Sequence, residues 1–221
     1  LVGSLNTPLI EDRLFMQFGA SMHRRDGFIY NATTGEYPDD KNDYAARLQL
    51  RYLVTPDFTA DFSADFTRQL SHKVNGEARS DVFNTGGYPD PPADEPYVID
   101  DDFPERDLSE TWGLGLVLNY DFDAFTLTST TGYRHAYRNW NVDMDHSSGD
   151  WAYFFYNDEY NTFSQEFRIS GEVGKLNYVG GLYYMNTSGE NDRTLVYSTL
   201  TALLGLPANS VTNTNPMVDN E

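Results

Sequence analysis

The 221-residue chain contains no cysteine. That excludes a disulfide framework and any thiolate metal site. No run of about 18 apolar residues occurs, so no segment reads as a transmembrane helix. A mean hydropathy of −0.57 argues the same way. Basic residues are scarce: 15 Lys and Arg stand against 34 Asp and Glu, for a net charge of −19. A surface of that sign repels phosphate backbones, so nucleic acid is not expected as a partner. The chain also lacks a nucleophile elbow, a His-Glu-x-x-His pair, a phosphate-binding glycine loop and a dinucleotide fingerprint. His23, His72, His135 and His146 are too dispersed to define a site by spacing. Asp100-Asp101-Asp102 lacks the separated environments that split an acid/base pair. Neither an enzyme nor a cofactor is expected.

What the chain has is strict two-residue alternation, repeated. In Thr111 to Asp121 one face reads Trp112, Leu114, Leu116, Leu118, Tyr120, and the other reads Thr111, Gly113, Gly115, Val117, Asn119, Asp121. A strand sends successive side chains to opposite sides, so this segment has one apolar and one polar face. The same pattern recurs over Arg13 to His23, Ala45 to Val54, Phe58 to Leu70, Phe125 to Arg138, Thr162 to Gly171 and Leu176 to Asn186. These make seven strands, and Val2 to Leu5 is the tail of an eighth. Low mean hydropathy does not argue against a membrane barrel, because only alternate residues meet lipid. Aromatic residues at both ends of an apolar face suit the two interfaces of a bilayer.

The connections are of two kinds and alternate. Short turns fall at Thr7 to Asp12, Thr55-Pro56-Asp57, Asp121 to Ala124 and Glu172 to Lys175. Pro, Asp and Gly there match turn backbone preferences. Long loops are expected over Asp26 to Asp43, Ser71 to Asp107, Asn141 to Glu159 and from Glu190 onward. Three acidic stretches on that long-loop side, Asp26 to Asp43, Pro89 to Glu110 and Asn141 to Glu159, carry a net −17 of the −19. Solvation explains such loops most simply. Clustered carboxylates also suit divalent cations, although no regular Ca²⁺-loop spacing is present. Asp143-Met144-Asp145-His146 offers donor atoms for a metal, but its sequence surroundings identify no partner ligands, and no metal is expected.

The pattern defines an all-β, antiparallel, up-and-down transmembrane β-barrel, present here as a partial wall of seven to eight strands. Several segments carry a family resemblance. They are Arg25-Asp26-Gly27-Phe28-Ile29-Tyr30-Asn31 with Thr34-Gly35, Asn42 to Tyr52, Thr55-Pro56-Asp57-Phe58, Thr130 to Arg134, Phe163 to Ser170 and Tyr178 to Tyr184. In this order the chain, over roughly residues 5–190, resembles the barrel domain of TonB-dependent outer-membrane receptors. The resemblance implies a barrel of about 22 strands around an N-terminal plug, with energy supplied through TonB. It also implies a bacterial outer-membrane location and active uptake of a scarce ligand such as a ferric siderophore, haem, cobalamin or a glycan. Residues 1–221 would then form part of the barrel domain, about the first third of the wall. Neither plug nor TonB-contacting segment is recognisable in them. Leu1 to Ser4 is no signal peptide, and the Asn- and Thr-rich end has no closing strand, so the chain reads as cut from something longer.

On this reading the long loops form an outer vestibule. Trp140, Trp151, Tyr153, Phe154, Phe155, Tyr156, Tyr88 and Tyr97 are available there for contact with a small, partly apolar ligand. The polar-face residues Arg47, Arg51, Asp61, Asp65, Arg134, Arg138, Glu166 and Arg168 face the lumen and the plug, where they are expected to pair with each other or with the plug. The expected partners are outer-membrane lipid, the small ligand and, through the plug, TonB. Two other readings stand beside this one. A complete eight-stranded barrel would serve as adhesin or anchor. A soluble β-sandwich would bind glycans, its alternating aromatics forming a core.

Overall fold

Alternating segments joined by turns of a few residues have one favourable pairing, with the neighbour turned back beside them. The sheet follows that rule almost throughout. The computed structural model describes residues 1–74, 95–197 and 205. Of 210–214 and 218–220 it describes the backbone. The strands are β1 (Val2–Ile10), β2 (Leu14–Arg25), β3 (Tyr30–Asn31), β4 (Lys41–Thr55), β5 (Phe58–Ser71), β6 (Val98–Ile99), β7 (Arg106–Asp121), β8 (Phe125–Asp143), β9 (Ala152–Val173), β10 (Leu176–Tyr197), β11 (Ser210–Thr214) and β12 (Val218–Asn220). One sheet runs β1-β2-β4-β5-β7-β8-β9-β10-β11, and β12 also pairs with β10. All its pairings are antiparallel. The wall is open, as a segment of a barrel should be. The short β3 and β6 pair in parallel and tie the first long loop to the second.

Register holds the two faces apart. Across β2, β4, β5, β7, β8, β9 and β10 one row reads Met16, Leu50, Phe62, Leu116, Thr131, Gln165, Tyr184. The next reads Phe18, Leu48, Ala64, Leu114, Tyr133, Phe163, Asn186. No second sheet covers this face among the described residues, so the β-sandwich reading fails. Its large side chains stay open, with Leu114 46% and Phe167 49% exposed. From Trp112 to Tyr120 the apolar face of β7 extends about 27 Å along the strand at about 3.4 Å per residue. At the usual tilt that is roughly the apolar height of an outer-membrane barrel. Aromatic clusters bound it. At the short-turn end Phe122 lies 4.5 Å from both Tyr120 and Phe125 between ring centres. At the other end Trp112 lies 5.3 Å from Tyr133 and 5.6 Å from His135.

Polar residues interrupt the apolar face on β8 and β9, and they satisfy one another. Thr131 Oγ1 donates to Gln165 Oε1 at 2.6 Å, and Gln165 Nε2 donates to Ser129 Oγ at 3.0 Å. Tyr133 Oη donates to Asn161 Oδ1 at 2.8 Å.

The strands differ from the sequence expectation in three places. β1 runs to Ile10, through most of the expected turn Thr7 to Asp12. The Asn- and Thr-rich end, read as strandless, holds β11 and β12 paired with β10. The strands also lengthen at the long-loop rim. The expected loop Asn141 to Glu159 shrinks to residues 144–151, because β8 runs on to Asp143 and β9 starts at Ala152. β10 likewise continues to Tyr197 instead of ending before Glu190. Beyond the apolar band both faces carry polar and aromatic residues, so alternation disappears while β propensity and pairing continue.

Adjacent glycines on β10 separate backbone crowding from open surface. A Cβ at Gly181 would lie 2.5 Å from the Phe167 carbonyl oxygen, whereas one at Gly180 meets nothing within 4 Å. Gly181→Ala should therefore cost about 1–3 kcal/mol through overpacking, and Gly180→Ala should stay within about 0.5 kcal/mol. The measurement is the thermal midpoint of unfolding of the two variants; equal midpoints would contradict the register.

Candidate functional site

The polar face is laid out as ion pairs. Arg51 and Asp61 are cross-strand neighbours, joined at 2.6 Å (Nε to Oδ1) and 3.0 Å (Nη2 to Oδ2). Arg134 on β8 reaches over β7 to Asp65 on β5, with its Nη2 donating to Oδ1 at 2.9 Å. It can do so because Gly113 lies between them in register; a Cβ there would sit 2.8 Å from Arg134 Nη2. Arg51 is thus paired with Asp61 and Arg134 with Asp65. Among the described residues no ion pair involves Arg47, Glu166 or Arg168. Arg47 lines an open trough with Asp65 and Arg134.

Toward the long-loop rim the same face becomes aromatic. Arg138 binds Asp107 twice, at 3.1 Å (Nε to Oδ1) and 3.0 Å (Nη2 to Oδ2), and Lys73 also donates to this carboxylate. The Arg138 guanidinium lies 5.0 Å from the centre of the Trp140 ring. Trp140 stacks on Tyr156 at 4.6 Å, and Tyr156 stacks on Phe154 at 4.6 Å. Arg193, paired with Asp158, lies 4.8 Å from the Tyr156 ring centre. Stacked rings flanked by guanidinium groups present flat apolar surface beside fixed positive charge.

The candidate vestibule residues therefore separate. Trp140, Phe154 and Tyr156 share this face and form one half-buried ladder on strands, not on loops. Trp151 is buried at 8% exposure. Tyr153 lies on the opposite face, where its hydroxyl donates to Asp102 Oδ2 at 3.0 Å and to Asp150. Phe103 stacks on Tyr153 at 4.3 Å and meets Phe155 edge-on. Tyr97 is exposed and packs its edge against Phe28 at 5.7 Å. Tyr88 lies outside the described residues.

Spacing did not reveal the rim cap that surrounds Tyr153. The first long loop supplies Asn31, 5% exposed, whose Nδ2 donates to the Asp101 carbonyl at 2.8 Å. The second supplies residues 100–105. The third supplies Asp143, whose Oδ1 accepts from the amides of Asp145 at 3.0 Å and His146 at 3.1 Å. The Asp143 amide donates to Glu105 Oε1 at 3.1 Å. Asp101 and Asp143 are 2% and 0% exposed, and Glu105 and Asp145 are buried beside them. Burial, reinforced by the neighbouring carboxylates, pushes Asp101 up to about 7 and Asp143 up to about 9. Burial also lowers His146, against the opposing pull of Asp145.

A single sheet with an apolar outer face, a charged inner face, short turns on one rim and a built cap on the other defines a class: the wall of an up-and-down β-barrel. Among solved structures the chain is similar to the ferric yersiniabactin uptake receptor FyuA from Yersinia pestis, with a TM-score of 0.69 at 15% sequence identity. The likeness covers 90% of this chain and 30% of that one, so the chain spans under a third of the receptor's length. At this identity the shared property is the fold. No protein-family model matches the chain, and no curated protein does.

The raised carboxyls set a sign for pH dependence. Their folded values lie above the unfolded 3.8, so the stability they contribute is full below about 4 and is lost as they ionise on rising pH. In buffer free of divalent ions, amide protection factors over residues 143–152 should fall progressively as pH rises above about 4, less steeply beyond about 7, and level off above about 9. Protection that rises across this interval would contradict the buried-acid assignment.

Proposed function

We propose that the chain is part of the barrel wall of a bacterial outer-membrane receptor that takes up a scarce small-molecule ligand, a ferric siderophore being the leading class. Energy would come through TonB acting on a plug outside these residues. The reading rests above all on the unbroken two-faced register. One face is an exposed apolar band bordered by aromatics, which in water would be an aggregation liability and in lipid is a requirement. The other carries Arg–Asp pairs suited to a polar, plugged lumen. The partners on this reading are outer-membrane lipid, the ligand and, indirectly, TonB; nucleic acid is not among them. The fold shared with a ferric-chelate receptor supports the ligand class.

The ladder of Trp140, Tyr156 and Phe154 is the proposed ligand surface, because it joins the lumen face to the rim and offers flat rings beside Arg138 and Arg193. Ferric chelates are partly apolar and often aromatic, and rings of this kind are frequent binding hot spots. Trp151 and Tyr153 act instead by holding the cap that frames the ladder. Cells that depend on the intact receptor would be grown under iron limitation with a panel of ferric chelates to find the one that supports growth. With that chelate, Trp140→Ala combined with Tyr156→Ala should weaken binding at least about tenfold while the folded band persists. Unchanged binding would remove the ladder from the ligand surface, and no growth on any chelate would remove the ligand class.

A further inference from the structure

The rim cap contains buried polar atoms that have no hydrogen-bond partner among the described residues. Asp101 Oδ1 and Asp143 Oδ2 belong to side chains 2% and 0% exposed, and neither has a hydrogen-bond donor. His146 Nδ1 is likewise buried without a partner. No ion pair among the described residues reaches Asp101, Asp102, Asp143 or Asp145. Carboxyls buried in this way without a counter-charge hold their protons unless a cation takes the proton's place. Yet the chain orders them carefully. Asn31 holds the Asp101 backbone, and the Asp143 side chain closes its own turn through two amides.

The spacing of the donors matches one kind of occupant. One ligand atom from each of Asp101, Glu105 and His146 lies within 4.8 Å of the others. Ligands on opposite sides of a divalent ion at about 2.0–2.5 Å stand about 4–5 Å apart. An organic cation is too large for that gap. A route also exists, since a cavity of about 230 Å³ between the first two long loops is lined by Asp101, Glu105, Asn31, His72 and Lys73 among others. We propose that the rim cap binds one divalent metal cation through Asp101, Glu105 and His146, with the Asp143 carboxylate beside them. The ion would join three segments distant in sequence, the first long loop through Asn31, residues 100–105 and the turn 143–152. It would thereby set the shape of the rim around the aromatic ladder. The proposal does not depend on what the protein transports, because metal retention is read without transport.

The test uses the intact, untagged protein in detergent, stripped with chelator and then offered Zn²⁺, Mn²⁺ or Ca²⁺ separately. Metal is measured by elemental mass spectrometry after gel filtration, and for Mn²⁺ also by loss of the free-ion resonance. One equivalent per chain is expected. Asp101→Asn combined with Asp143→Asn keeps the shape and removes like charge, so the folded band should persist while affinity falls at least about tenfold. Should that variant not fold, Glu105→Gln tests the same site. His146→Asn, which tolerates the backbone φ of 50° at that position, distinguishes the ions. Loss of Zn²⁺ or Mn²⁺ retention in this variant upholds the carboxylate–imidazole site, and unchanged retention of all three ions removes His146 from the ligand set and overturns the proposal as stated. Failure to retain any of the three ions, or equal retention by the carboxamide variants, would overturn it and leave the cap as a set of neutral carboxylic acids.

Discussion

Everything in this chain depends on the pairing register of a single antiparallel sheet. Side chains alternate with a period of two, so a one-residue slip anywhere would carry Leu114 and Leu116 to the polar side and Asp61 and Asp65 to the apolar side. The long strand pairs from β4 to β10 run through the apolar band without a shift. The irregularities fall at the short-turn ends, between Pro8 and Ile10 and between Leu53 and Thr55. There a local bulge tightens a turn and disturbs no row.

Register also explains where small residues are needed on the polar face. Gly113 lies in the row between Asp65 and Arg134 and leaves the space in which their side chains meet. Gly115 and Gly132 occupy the neighbouring row, facing Ser63 and Ser164, where a Cβ would come within 2.7 Å and 2.8 Å of the serine hydroxyls. A face that curves inward crowds its side chains, and glycine relieves the crowding. The apolar face, on the outside of such a curve, takes Phe, Trp and Leu instead.

At the rim the constraint changes. No single apolar face is kept there, and β8, β9 and β10 extend past the band with aromatic or charged residues on both sides. One side becomes the ladder of Trp140, Tyr156 and Phe154; the other becomes the cap of Phe103, Tyr153 and the buried acids. Strand continuation thus produces two different surfaces from adjacent residues. Tyr153 and Phe154 are neighbours in sequence, yet one donates to Asp102 in the cap and the other stacks in the ladder.

The long strands β2, β4, β5 and β7 to β10 and their order were legible in the sequence because each depends on alternation, and alternation is local; β3, β6, β11, β12 and the extension of β1 to Ile10 carry too little alternation to be read. The pairing of Arg51 with Asp61 follows from one hairpin, and the family resemblance led to the same architecture. The length of β8 to β10 at the rim was not legible, since outside the apolar band pattern no longer tracks structure. Nor was the cap: Asp143-Met144-Asp145-His146 gave donor atoms without partners, because Asp101 and Glu105 lie about 40 residues earlier. Only the folding of two loops and a turn over one another, pinned by Asn31, brings them within a few ångströms. Sequence alone thus determined the two faces, through a period that each strand carries by itself. Tertiary structure decided which rim residues meet, because burial and contact between distant loops have no period to read.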